Sequence, residues 1–317
     1  MIKANIVQDS SLPTGERLLT YNLRYGRLIH SELLRHRAAS HSVKSSRAIP
    51  TKKYRKEVES DPYIPVKFGT NQKGMQAGDE TDASVSYGKK IWKLSAKFAC
   101  MAHSMMEMAN IHKEVSNRIL EPYVWVEETL TIEYDALKSI AELRIHDDAQ
   151  EDVRVIVEAM MNSTEENEPV ILEENQWHVP YVVRQINGGM AYKDNDGTNL
   201  TLEQAIICSA ARCARSSYAN HDNSTTTYEN DAKLADRLIG SDPMHLSPFE
   251  HQARPFQDRE EQFEYCSNFR YFFQQRKAIE KQYASTDQTT TATEEENISQ
   301  TDRGELENSE QSNSSTS

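Results

Sequence analysis

Residues 35–50 (Arg35-His36-Arg37-Ala38-Ala39-Ser40-His41-Ser42-Val43-Lys44-Ser45-Ser46-Arg47-Ala48-Ile49-Pro50) gather the cations Arg35, Arg37, Lys44 and Arg47 with two histidines and four serine hydroxyls, and include no carboxylate. Guanidinium groups clasp phosphate oxygens with two parallel donors, and serine hydroxyls complete such an oxygen shell, so the stretch suits an anion. The plain alternative is a solvated basic loop.

The elements that would position this stretch can be read around it. Leu28, Ile29, Leu33 and Leu34 precede it at spacings that place it on ordered backbone, and residues 17–34 read as at least one strand feeding a helical or turn segment. Pro50, Pro62 and Pro65 with Gly69, Gly74 and Gly78 predict an irregular ordered loop over a site. Trp92, Ala96, Ala99, Met101, Met105, Met108, Ile111 and Val115 recur near a helical period, predicting one or two long helices with a methionine stripe in the core, stopped at Glu121-Pro122. Residues 123–133 read as a strand, 134–161 as a second helix, 187–197 as a glycine-marked turn (Gly188, Gly189, Gly197), and 202–214 and 231–239 as further helices. The last apolar stretch is 269–279. Beyond it, residues 282–317 are rich in Ser, Thr, Glu, Asn and Gln and predict a disordered acidic tail. Nothing else splits the chain, so one α+β domain over residues 1–281 is the simplest reading.

The 317 residues are 37% hydrophobic, enough for a substantial core, and the formal net charge of -13 disfavours a general nucleic-acid binder. A basic patch in an acidic chain points instead to a small anionic ligand such as a nucleotide. Cys100, Cys208, Cys213 and Cys266 form no CxxC pair and show no zinc-ligand spacing, which fits a reducing cytosol. No apolar run approaches the roughly 20 residues that cross a bilayer.

Arg35-His36-Arg37 with Ser45 eight residues after Arg37, extended by Arg47, resembles the RHRx7S signature of the flavin-dependent thymidylate synthases. Three further segments are similar to the same family: His245-Leu-Ser-Pro-Phe-Glu-His251 to its HxSPFEH segment, Ala214-Arg215-Ser216-Ser217-Tyr218 to its ARxSY segment, and Leu143-Arg144 with Ala149-Gln150-Glu151-Asp152 to its LR…AQxE helix. In that family the ARxSY and HxSPFEH segments usually precede the RHR motif, whereas here they follow it, so the chain resembles a circularly permuted member, a rearrangement acceptable where chain ends lie close together at a surface. Departures are Ser42-Val43 for the family's Asn-Glu, Glu32 for a glutamine, Ser139 for an asparagine, and Tyr271-Phe272 for Gly-Trp after Asn268-Phe-Arg270.

The resemblance implies a single catalytic domain with a mixed sheet and long helices. It also implies reductive methylation of dUMP to dTMP, with the methylene from methylenetetrahydrofolate and reducing equivalents from NADPH through FAD. Carried over, Arg35, His36 and Arg37 would contact flavin and nucleotide. Ser45, Ser46, Arg47 and Arg118 would line the dUMP pocket, and Ser217, His245, Ser247 and Glu250 would lie near the flavin. Arg144 would assist ionisation of the uracil N3, where the plain alternative is a helix-surface ion pair with Asp147 or Asp148. His251 carries no catalytic expectation, and Trp177-His178 are unassigned. The family implies a homotetramer with shared sites. The competing readings are a pyrimidine-nucleotide hydroxymethylase on the same scaffold and a non-catalytic nucleotide- or nucleic-acid-binding protein. Product mass separates the first, and salt-sensitive DNA binding would mark the second.

Overall fold

The structure, a computed structural model, describes residues 1–185, 190–217 and 226–283, with the backbone alone for residues 216 and 217. The turn expected at Gly188 and Gly189, the side chain of Ser217 and the tail beyond residue 283 lie outside the described residues. The chain divides into two units, Met1–Gln274 and Gln275–Ser317. The described part of the second is helical over residues 275–283, with Glu280 pairing Arg276 and Lys277 one turn away at 2.7 and 2.9 Å.

Five strands organise the first unit: β1 (Lys3–Ser11), β2 (Arg17–Gly26), β3 (Ala39–Val43), β4 (Trp125–Glu133) and β5 (Val170–Ile171). They form a mixed sheet in the order β3-β4-β2-β1-β5, in which β5 runs parallel to β1 and the other pairs are antiparallel. Alternation along β2 and β4 gives the sheet two unlike faces. Leu19, Tyr21, Leu23 and Tyr25 of β2 and Val126, Leu130 and Ile132 of β4 form one apolar face. It is covered by helices α5 (Tyr134–Arg144) and α6 (Glu151–Glu165), where Val153, Ile156, Val157 and Met160 repeat at helical spacing and are buried. The opposite face carries a row of hydroxyls, since Thr131 of β4 stands opposite both Thr20 of β2 and Ser40 of β3.

The remaining helices are α1 (His30–Leu33), α2 (Thr51–Ser60), α3 (Asp82–Met108), α4 (Lys113–Ser116), α7 (Leu202–Ser217), α8 (Tyr228–Ile239) and α9 (Arg259–Tyr265). Strands β6 (Val183–Gln185), β7 (Ala191–Lys193) and β8 (Asn199–Leu200) make a small antiparallel sheet, and β9 (Ala253–Pro255) pairs β10 (Phe272–Gln274). Gly26 ends β2 against the ring of Tyr63, where a Cβ would lie 2.2 Å from a ring carbon, so no side chain fits there.

Several expectations change. The loop expected after Arg47 contains α2, because Pro50 sits just ahead of a run without further breakers. The long helix ends at Met108, where Asn110 turns the chain at φ +58°, and Pro122 lies inside a 3-10 segment, Asn117–Tyr123. The second helix is two, α5 and α6, broken at residues 145–150 where the side chain of His146 accepts the backbone N–H of Asp148 at 3.2 Å. The methionine stripe is not core. Ala96, Cys100 and His103 are the buried face of α3, whereas Tyr87, Ile91, Leu94, Phe98, Met101, Met105 and Met108 are exposed, Phe98 by 57% and Met101 by 56%. Periodicity shows that a helix has an apolar face, but not what covers it.

Candidate active site

The basic stretch is split by β3. Its first residues follow α1 and its last form a 3-10 turn, Ser46–Ala48, so the five strand residues hold the two ends about 16 Å apart. Carboxylates absent from the stretch itself come from elsewhere in the chain: Arg35 lies 3.5 Å from Glu32, Lys44 3.1 Å from Glu57, Arg47 3.6 Å from Glu114, and His41 2.5 Å from Glu128. Arg37 is exposed and has no such partner among the described residues. The stretch is therefore neither bare nor a solvated loop.

At the first end, the fold brings α5 to α1. Arg144, the last residue of α5, donates from Nε to His36 Nε2 at 3.2 Å and stands 3.5 Å from Glu32. Asp148 turns instead to His146 at 3.6 Å. To accept from Arg144, His36 must keep its Nε2 lone pair, so its proton sits on Nδ1. Burial, then the Arg144 charge, lowers its pKa and favours that neutral form. With Nε on His36 and Nη2 turned to Glu32, Nη1 remains a donor for a ligand.

His41 and Glu128 are functional candidates that the sequence reading missed. Glu128 is fully buried, accepts from Tyr25 Oη and His41 Nδ1, and Tyr25 Oη also contacts His30 Nδ1 at 2.7 Å. Burial pulls the His41 pKa down, but the Glu128 hydrogen bond and charge outweigh it and raise the pKa overall. Its Nε2 is buried with no hydrogen-bond partner. Glu128 stands directly opposite Val43 across the β3–β4 ladder. Nothing in the spacing of residues 35–50 marks a partner more than eighty positions away.

At the second end, Ser46 is buried and donates to Glu121 at 2.9 Å, and Arg118 reaches the same carboxylate at 2.8 Å. Ser45 is half-buried, with no hydrogen-bond partner for its hydroxyl among the described residues. The 3-10 turn Ser247–Glu250 is anchored by buried Pro248 and Phe249, leaving Ser247 and the preceding His245 exposed. Gln274 ties this turn to β3 by donating to the Glu250 carbonyl at 2.8 Å and to Ser40 Oγ at 3.1 Å. Glu250 also acts electrostatically on His41. Glu32, His36, His41, Arg144 and Glu250 thus converge, while Ser45, Ser46, Arg47 and Arg118 group around Glu121 and Glu114 at the other end of β3. Ser139 faces away, bonded to the Asp135 carbonyl at 3.1 Å within its own helix. Asp152 is buried and accepts from Tyr63 Oη and, at 3.0 Å, from the Val66 N–H.

The hydroxyl face of the sheet ends beneath this site in an unbroken series. Arg184 Nη1 reaches Ser10 Oγ at 2.8 Å, Ser10 reaches His178 Nδ1 at 2.7 Å, and His178 Nε2 reaches Thr20 Oγ1 at 2.7 Å. Thr20 then meets Thr131 at 2.7 Å, Thr131 meets His251 Nδ1 at 2.8 Å, and His251 Nε2 meets Ser42 Oγ at 2.9 Å. Both imidazoles are wholly buried, and burial holds them neutral, lowering the His251 pKa to about 3. His251 is thus a satisfied core histidine, and His178 packs as one too.

Residues 18–170 match the family model Thy1, thymidylate synthase complementing protein. The matched segment covers 153 of the 317 residues, just under half of the chain. It contains Arg35 to Arg47, Arg118 and Arg144, whereas Ser217, His245, Ser247 and Glu250 fall beyond the Thy1 segment. Among solved structures, the chain is similar to a UMP/dUMP methylase, PolB, from Streptomyces cacaoi bound with 5-Br dUMP, at 18% identity over 47% of this chain and 67% of that one, with a TM-score of 0.41. It is also similar to thymidylate synthase X from Helicobacter pylori with FAD and dUMP, at 16% identity over 46% of this chain and 67% of that one, with a TM-score of 0.33. No curated protein matches the chain.

Proposed function

We propose that the chain is a flavin-dependent thymidylate synthase that binds FAD and dUMP and methylates the pyrimidine to dTMP, using methylenetetrahydrofolate and NADPH. The observation that carries this reading is the meeting of His36 and Arg144, which lie 108 positions apart and are joined by a hydrogen bond, within a Thy1 segment. The donors fit an anionic ring system and a phosphate: among the described residues Arg37 and Ser45 are unengaged, and His41 Nε2 is buried without a partner. FAD, when bound, supplies the reducing electron pair. Arg35, His36, Arg37, Ser217, His245, Ser247 and Glu250 would hold it, and Ser45, Ser46, Arg47 and Arg118 would hold the nucleotide.

Arg144 would set Nη1 against the uracil edge and hold the negative charge of the ionised N3, so that the ring carbon becomes electron-rich enough to take up the one-carbon unit. His36 fixes the guanidinium plane for that task. Glu128, opposite Val43, stands in for the carboxylate that the family resemblance would place at position 43. The order of the segments fits a permuted member of the family. Self-association also fits, because the exposed residues of α3 repeat at alternating spacings of four and three, the pattern that seats one helix against another from a second copy.

Purified protein incubated with FAD should show flavin absorbance and, with dUMP and both co-substrates, release dTMP. Absence of bound flavin would sink the reading, and a product heavier by one oxygen would move it to hydroxymethylation. Arg144→Ala should lower turnover by about 100-fold or more while flavin stays bound. Unchanged turnover removes its assigned role.

A further inference from the structure

At the far end of the hydroxyl series from Ser42 lies a cavity of about 590 Å³, within the size range that holds small molecules. Gln8 and Arg184 line it, with Val170 and Val182 as an apolar wall. Arg184 donates to two neutral acceptors, Ser10 Oγ and the Asp9 carbonyl, each at 2.8 Å. No carboxylate lies within ion-pair distance of it among the described residues, and burial pushes its pKa down to about 10. The neighbouring Asp9 carboxylate is already committed, taking Arg17 Nε and Asn167 Nδ2 at 2.8 Å each.

Gln8 supplies the independent observation. It is 6% exposed, and its Oε1 is buried with no hydrogen-bond partner among the described residues. Gln8 and Ser10 point to the same face of β1 about 7 Å apart, and Arg184 is bonded to Ser10, so the orphan acceptor and the guanidinium without a counter-ion sit side by side. An acceptor buried without a donor is unfavourable, and so is a buried cation without an anion. One ligand satisfies both.

We propose that this cavity binds a small carboxylate that carries an N–H or O–H donor beside its acid group and an apolar remainder. The carboxylate meets Arg184, the donor meets Gln8 Oε1, and the remainder lies on Val170 and Val182. A phosphate dianion is a poorer match, because a single guanidinium faces the cavity and Glu168 adds negative charge at its edge. None of these residues belongs to the proposed nucleotide site, so the two assignments stand or fall separately.

N-acetyl-L-phenylalanine has the required groups, 3-phenylpropionate lacks the N–H, and N-acetyl-L-phenylalaninamide lacks the charge. Calorimetric titration of the full chain should show binding of the first, about tenfold weaker binding of the second and none of the amide. Amide hydrogen exchange should slow along residues 181–185 on binding. Gln8→Leu should bring the first probe down to the level of the second, Arg184→Gln should abolish binding of both, and Arg144→Ala should leave both unaffected. Equal binding of acid and amide, or no binding of any probe at millimolar concentration, overturns the proposal. So does an unaltered preference in Gln8→Leu, which remains informative if the Arg184 variant fails to fold.

Discussion

His41 shows how far a single side chain depends on a distant partner. In isolation it is one more imidazole in a basic stretch, whereas the fold sets a buried carboxylate 2.5 Å from its Nδ1. That contact raises its pKa against the opposing effect of burial, so an NMR titration of His41 should give a midpoint above the ordinary 6.5. In Glu128→Gln only the desolvation remains dominant, and the midpoint should drop below that value. A midpoint that ignored the substitution would show that Glu128 does not govern His41. Legibility divided along the same line. Arg35, His36, Arg37, Ser45 and Arg47 stood out because they are consecutive or nearly so, and Arg144 through its own short motif. His41 and Glu128 did not, since their relation exists only through the β3–β4 register, which no local pattern encodes.

At the scale of elements, strands and helices were legible where one face is apolar and buried and the other polar and exposed, as in α8, and less so where polar side chains are buried. β3 was hidden for that reason: Ser40 and Ser42 look exposed by type, yet they sit on a face sealed by His251, Asn268 and Gln274. The neutral imidazoles on that face carry a pH signature. Folding lowers the pKa of His178 and His251, so as pH falls below about 6.5 the unfolded chain takes up protons that the native chain refuses. Urea-unfolding stability should therefore decline below that point, by up to about 1.4 kcal/mol per pH unit for each imidazole. His41 works in the opposite window, its contribution present below 6.5 and lost as pH rises through its raised value. Helix α3 gives the other test at this scale. Its exposed seam from Tyr87 to Met108 predicts that Phe98→Glu with Met105→Glu converts an oligomer to a smaller species in light scattering, with the helical circular dichroism retained. An unchanged mass would remove α3 as a contact between copies.

For the whole molecule, the candidate site draws on α1, β3, α5 and the turn Ser247–Glu250, which are far apart in sequence but belong to one unit. Ligands that bind there should stabilise the native state as a whole. FAD and dUMP at about one hundred times their dissociation constants would each add about 2.7 kcal/mol, raising the melting temperature by several degrees in a thermal scan. A scan in which neither ligand moves the transition would contradict the proposed site. The sequence did foreshadow the mixed α/β architecture and the basic stretch, although not the carboxylates that surround its charge. The series from Arg184 to Ser42 has one more consequence. A guanidinium can only donate, and when Ser10 gives its own proton to His178 Nδ1 each following group donates in the same direction. Six aligned bond dipoles then direct their positive ends toward Ser42. The sheet interior thereby lends the Ser42 end of the series a positive potential of the kind found at a helix N-terminus.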